Sequence, residues 1–158
     1  MSQVMRWVGV TALALVLALT GCGVAGSPTD EQPAASDSTP ESIATAIDTV
    51  LDAGQSVDVS SSQSGLTSGW IIEITGDSDA PLTGDELRDI LDAAWASAPN
   101  RPADLRVLQW STAVGEPDAV DFSAAADELG VRWGVYRGGI TILPGALAQL
   151  LGEWEPAS

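Results

Sequence analysis

The stretch Leu82 to Ala98, LTGDELRDILDAAWASA, constrains the fold more than any other part of the chain. Thr83-Gly84-Asp85-Glu86 has the form of a capping box, in which the Thr83 and Glu86 side chains each accept an otherwise orphaned backbone N–H. Leu82 before the cap and Leu87 at the fourth helical position can staple the helix entry. Leu87, Ile90, Leu91, Ala94, Trp95 and Ala98 then recur at helical spacing as one apolar stripe. Asp85 and Glu86 sit in the first turn, where the helix dipole favours anions. Pro99 and Pro102 close the exit. A helix with a single apolar stripe must lie against another apolar surface, and the sequence offers a strand on either side.

Trp70-Ile71-Ile72-Glu73-Ile74 precedes the helix as an apolar strand. Leu105 to Trp110 follows it, with Leu105 and Val107 pointing one way and Leu108 and Trp110 the other. Apolar residues on both faces predict a central strand. A strand–helix–strand unit of this kind predicts a parallel pair joined by a right-handed crossover.

Upstream, Thr39 as cap and Pro40 in the first turn start a helix whose Ile43, Ile47, Val50 and Leu51 share a face, with Gly54 ending it. Val57-Asp58-Val59 alternates as a strand. The polar stretch from Ser60 to Ser68 reads as its connection to residues 70–74, completing a hairpin. Downstream, Asp121-Phe122-Ser123 opens a short helix that closes at Asp127-Glu128-Leu129-Gly130. Trp133 to Arg137 and Ile140 to Leu143 flank Gly138-Gly139, read as a tight hairpin turn. Pro144 to Leu151 forms a last short helix, with a flexible tail over 153–158 that leaves Trp154 as the tryptophan best placed for exposure. The order is α-β-β-α-β-α-β-β-α. It predicts a small two-layer α+β domain over residues 41–152, with a mixed sheet of about four to five strands and helices mainly on one face.

The N-terminus follows different rules. Arg6 gives residues 1–6 a single positive charge, and Trp7 to Leu19 is apolar apart from Gly9 and Thr11. That run has the length of a signal-peptide core and falls short of the roughly 20 apolar residues that span a membrane. Leu19-Thr20-Gly21-Cys22 follows directly. It resembles the lipobox of bacterial lipoproteins, an aliphatic residue and two small ones before a cysteine. The resemblance implies a signal peptide over 1–21, cleavage before Cys22, and diacylglycerol on the Cys22 thiol as a thioether. Acyl chains contribute on the order of 0.8 kcal/mol per buried CH₂, so two or three anchor stably. Ordinary secretion with a free thiol is the rival reading. Gly23 to Pro40, GVAGSPTDEQPAASDSTP, lacks hydrophobic periodicity and reads, together with Cys22, as a disordered tether over 22–40. As a coil its ends lie roughly 25 Å apart, and stretched it reaches about 60 Å.

The chain carries 22 acidic and six basic residues, a net charge of −16, and all six basic residues are Arg. Such a surface repels a phosphate backbone, so nucleic acid is not an expected partner. It equally lacks a polybasic patch for anionic headgroups. The absence of His and Lys removes Ser–His and Ser–Lys nucleophilic pairs, and a single Cys leaves no disulfide and no thiolate cluster. The composition, and the segment Gly69 to Leu143 with its WIIEITGD, LTGDELRDILDAAW and AADELGV stretches, is similar to small domains of actinobacterial lipoproteins. That similarity rests on packing patterns and implies no site residues.

The remaining candidates for chemistry are Asp77 and Asp79, which lead into Asp85 and Glu86. Two carboxylates can do acid–base work, but turn geometry alone explains Asp in such a loop. As a calcium loop starting at Asp77 the sequence fails, with Pro81, Leu82 and Arg88 where Asp or Asn, Gly and Glu are needed. No catalytic, cofactor or metal site is therefore expected, and Cys22 is the one site residue assigned, for lipid attachment. The chain is expected to be non-enzymatic: a lipid-anchored interaction domain on the extracytoplasmic face of the cell membrane, with an envelope protein or cell-wall component as partner. The alternative is a binding protein for a small molecule or cell-wall glycan, using exposed Trp and carboxylates. Globomycin should block processing of the chain, and labelling with an alkynyl fatty acid should disappear in Cys22→Ser; label persisting in that variant would exclude Cys22 as the acceptor.

Overall fold

The computed structural model describes residues 40–156. The Cys22 site, the signal peptide, the tether up to Thr39 and the last two residues of the tail lie outside the described residues. Helix α1 spans Pro40–Asp48, strands β1 and β2 Gln55–Ser64 and Thr67–Gly76, and helix α2 Gly84–Ser97. Strand β3 follows at Leu105–Ser111, then β4 at Asp118–Ala119 and helix α3 at Ser123–Glu128. Strands β5 and β6 cover Trp133–Tyr136 and Gly139–Ile142, and helix α4 covers Pro144–Leu151.

Helix α2 starts as its sequence dictates. The Thr83 side chain accepts from the Glu86 N–H at 3.3 Å, and the Glu86 carboxylate accepts from the Thr83 N–H at 2.6 Å and hydroxyl at 2.7 Å. All six stripe residues are buried, as is Leu82. β2 and β3 pair in parallel, with Trp70 opposite Leu105 and Ile72 opposite Val107. The sheet order is β1-β2-β3-β6-β5, with β4 added beside the end of β3, and β3 is central as predicted. Among the described residues the architecture is α+β, with a mixed six-stranded sheet and four helices.

One alternation runs across the whole sheet. Val59, Trp70, Ile72, Ile74, Leu105, Val107, Ile140 and Ile142 all point to one face, where they join Ile43 and Ile47 of α1, the α2 stripe, Ala125 and Ala126 of α3, and Leu147 of α4 in a single core. Every helix therefore covers the same face. No residue of the opposite alternation belongs to that core.

Several elements differ from their sequence reading. The serine-rich stretch from Ser60 to Ser64 is strand, not connection: β1 and β2 stay in register down to Ser64 opposite Thr67, with only Gly65 and Leu66 in the turn. Serine has little β preference of its own. Pairing with the aromatic and β-branched run of β2 decides the outcome. Helix α1 ends at Asp48, so Val50 is exposed and Leu51 only half-buried. The second hairpin turn is Arg137-Gly138, with φ of 48° and 89°, and Tyr136 faces Gly139 across it. Gly139 is instead a strand residue that must lack a side chain, since a Cβ there would lie 2.1 Å from the Val107 carbonyl oxygen. β4, only two residues long, has no sequence signature. Trp154 is not exposed: Gly152, at φ 94°, ends α4, and Trp154 packs half-buried against the core.

The cap makes α2 sensitive to acid. Hydrogen bonds from Thr83, chiefly its backbone N–H, hold the Glu86 carboxyl below the usual carboxylate range. A depressed folded-state pKa stabilises at pH above the unfolded-state value, and the contribution is lost as pH falls through the folded-state value. Thr83→Ala should cost about 1 kcal/mol, and Glu86→Gln should flatten the acid-side loss of stability; denaturant titrations from neutral pH to pH 3 check both.

Candidate functional site

The loop carrying Asp77 and Asp79 joins β2 to α2 and lies beside the ends of β2 and β3. Two buried polar residues of β3 hold it there. Gln109 accepts from the Leu82 N–H at 2.9 Å and donates to the Ala80 carbonyl at 2.8 Å. The Ser111 hydroxyl donates to the Asp79 carboxylate and accepts from the Ala113 N–H at 3.2 Å. Both occupy core-facing positions where an apolar residue is the default, and both are nearly inaccessible, at 5% and 1%. Their side chains replace the backbone partners that the loop lacks. Asp79 is thus a loop fastener. Asp77 and Asp52 border a small hollow of about 180 Å³ with Glu86, whose carboxylate is already engaged by Thr83. Among the described residues no three His, Cys, Asp or Glu side chains are placed to share a metal ion. No tryptophan borders this hollow.

Trp70 and Trp95 are core residues, while Trp110 and Trp133 are half-buried on the sheet. Trp110 lies on the face that no helix covers among the described residues. On that face lie Ile71, Glu73 and Thr75 of β2 and Arg106 and Trp110 of β3, all half-buried, with Leu108 of β3 buried among them. Ile71 stands beside Arg106, Glu73 beside Leu108, and Thr75 beside Trp110. Across β6, Tyr136 joins the same face from β5, its ring 4.7 Å from the Arg106 guanidinium carbon and 5.4 Å from that of Arg137. Arg106 also pairs with Asp104 at 2.8 Å, which raises its pKa further and fixes its direction. Asp104 in turn occupies the space beside Gly69, where a Cβ would lie 2.1 Å from its Oδ1. Charge, stacking and backbone shape together position one arginine over one tyrosine.

A second feature sits on the helix side of the sheet at its β5 edge. A groove of about 490 Å³ runs between Phe122, just before α3, and the β5–β6 hairpin, with Trp133, Val135 and Ile140 along it. Val135 is 77% exposed. The Trp133 indole N–H donates to Asp127 of α3 at 2.9 Å. A wider groove, about 700 Å³, lies by the β1–β2 turn and takes in Leu66, Trp70 and Arg101.

The sequence reading found none of these arrangements, although Trp110 on the second face of a central strand was the available clue. No family model, no curated protein and no solved structure matches the chain. Gln109→Leu should cost about 1–3 kcal/mol by leaving the Leu82 N–H and Ala80 carbonyl unpaired, measured by chemical denaturation.

Proposed function

We propose that this chain is an interaction domain without chemistry of its own, tethered by lipid on Cys22 to the extracytoplasmic face of the membrane, and that it meets an envelope protein through the uncovered face of its sheet. The observation that carries the reading is the makeup of that face. Trp, Tyr and Arg are the residues most enriched at binding hot spots, and Trp110, Tyr136 and Arg106, each half-buried, share one face with the half-buried Ile71 in a chain that has one Tyr and no Lys. Arg106 already has its ion pair and its aromatic neighbour, so little is lost in ordering it on contact. The net charge of −16 favours solubility elsewhere on the surface. A tether from Gly23 to Thr39, 17 residues before α1, lets the domain reach its partner away from the headgroups.

The test is site-specific crosslinking in intact cells. Trp110→p-benzoylphenylalanine should give a discrete adduct, and Asp92→p-benzoylphenylalanine, on the exposed side of α2, should give none. The adduct should weaken when Arg106→Ala and Tyr136→Ala are added. Equal labelling from both positions, or none from position 110, would contradict the reading. Quenching of tryptophan fluorescence by wall fragments without an adduct would replace it with glycan binding.

A further inference from the structure

We infer that the outer edge of β5 is a docking site for an extended peptide that carries apolar residues between two carboxylates. The inference rests on the reading of the chain as an interaction domain and adds a second contact with a defined kind of partner.

The backbone supplies the first part. Among the described residues β5 pairs only with β6, so its other edge ends the sheet there. In an antiparallel ladder, alternate residue pairs exchange both hydrogen bonds, and the residues between turn their N–H and C=O groups outward. The two-residue turn makes Tyr136–Gly139 a bonded pair, and Gly134–Thr141 the next. Trp133 and Val135 therefore direct their polar backbone groups away from the sheet. No backbone hydrogen bond to them is formed from outside the sheet among the described residues. An added strand satisfies such groups and gains affinity from the main chain.

Side chains supply the second part. A strand laid along this edge places every other side chain on the helix side, over the groove between Phe122 and Val135. Val135, at 77% exposure, leaves apolar surface there for an apolar partner to cover. Asp121 stands at the same groove, its carboxyl held below the usual range by the Ser123 N–H. Phe122, Trp133, Val135 and Ile140 line the groove, and the proposal places an apolar side chain against them.

Charge supplies the third part. Of the five arginines after Cys22, two bracket this four-residue strand: Arg132 before it and Arg137 after it. Both are exposed, and neither forms an ion pair among the described residues. They are roughly 16 Å apart along an extended chain. A peptide with carboxylates five residues apart matches them. The acidity of the rest of the surface is screened over about 8 Å at physiological salt, which leaves Arg132 and Arg137 at the two ends of the strand and Asp121 and Asp127 on its helix side.

The test uses the full chain and the capped peptide Asp-Val-Thr-Val-Thr-Asp. Hydrogen exchange over 131–137 should slow on adding it, and affinity should fall about tenfold in the Arg132→Ala, Arg137→Ala double variant. Val135→Glu, at an exposed position that leaves the core intact, should abolish the protection. Lys-Val-Thr-Val-Thr-Lys and Asp-Val-Thr-Pro-Thr-Asp should not protect. Equal protection by either control peptide, or protection unchanged in both variants, overturns the proposal, as does protection without peptide that rises with protein concentration. Failure here with the position 110 adduct intact rejects the β5 site alone; peptide protection with that adduct lost rejects the uncovered-face reading alone.

Discussion

The seating of the α2 stripe on the parallel β2–β3 pair fixes the rest of the domain. Leu87, Ile90, Leu91, Ala94 and Trp95 require an apolar surface, and the alternation of Trp70, Ile72, Ile74, Leu105 and Val107 provides it on one face only. A register slip of one residue would put Glu73 and Arg106 into the core, so the pairing is held by the cost of burying them. Every other strand inherits that alternation through its ladder. Ile140 and Ile142 face the helices because they stand opposite Val107 and Leu105, and Tyr136 and Trp110 face away for the same reason. Burial of one face thus decides what the other face displays.

The surface features follow from how the chain leaves that core. The loop after β2 spans to α2 with few backbone partners, and Gln109 and Ser111 spend two core positions on fastening it. This gives Asp79 a structural task. At the opposite side of the sheet the short α3 leaves Val135 bare, so the β5 edge keeps a groove. Arginines are scarce, and three of the five after Cys22, Arg106, Arg132 and Arg137, stand on or beside the β3–β6–β5 side of the sheet.

Much of the fold was legible in the sequence because it depends on local pattern. The capping box, the α2 stripe, the two-faced β3 and the proline-started α4 are each written in adjacent residues. What the sequence hid depends on partners distant along the chain. The serines of β1 become strand only because β2 lies beside them. The turn moves to Arg137-Gly138 because Ile140 and Ile142 must face the core and because Gly139 touches the backbone of β3. Trp154 folds back because Gly152 can adopt a positive φ. The stacking of Arg106 on Tyr136 joins residues thirty positions apart, and no motif announces it. Cys22 stands apart from all of these, since the lipid attachment proposed for it is read from the four residues of its own motif alone.

The central claim is that the sheet face bearing Trp110 and Tyr136 meets another molecule in the envelope. Hydroxyl-radical footprinting of the chain on intact cells and of the purified chain addresses it directly, because both aromatic rings react readily when exposed to solvent. The account predicts that Trp110 and Tyr136 are modified several-fold more slowly on cells, while Leu66 at the β1–β2 turn reacts equally in both. Equal modification of Trp110 and Tyr136 in the two settings would contradict it.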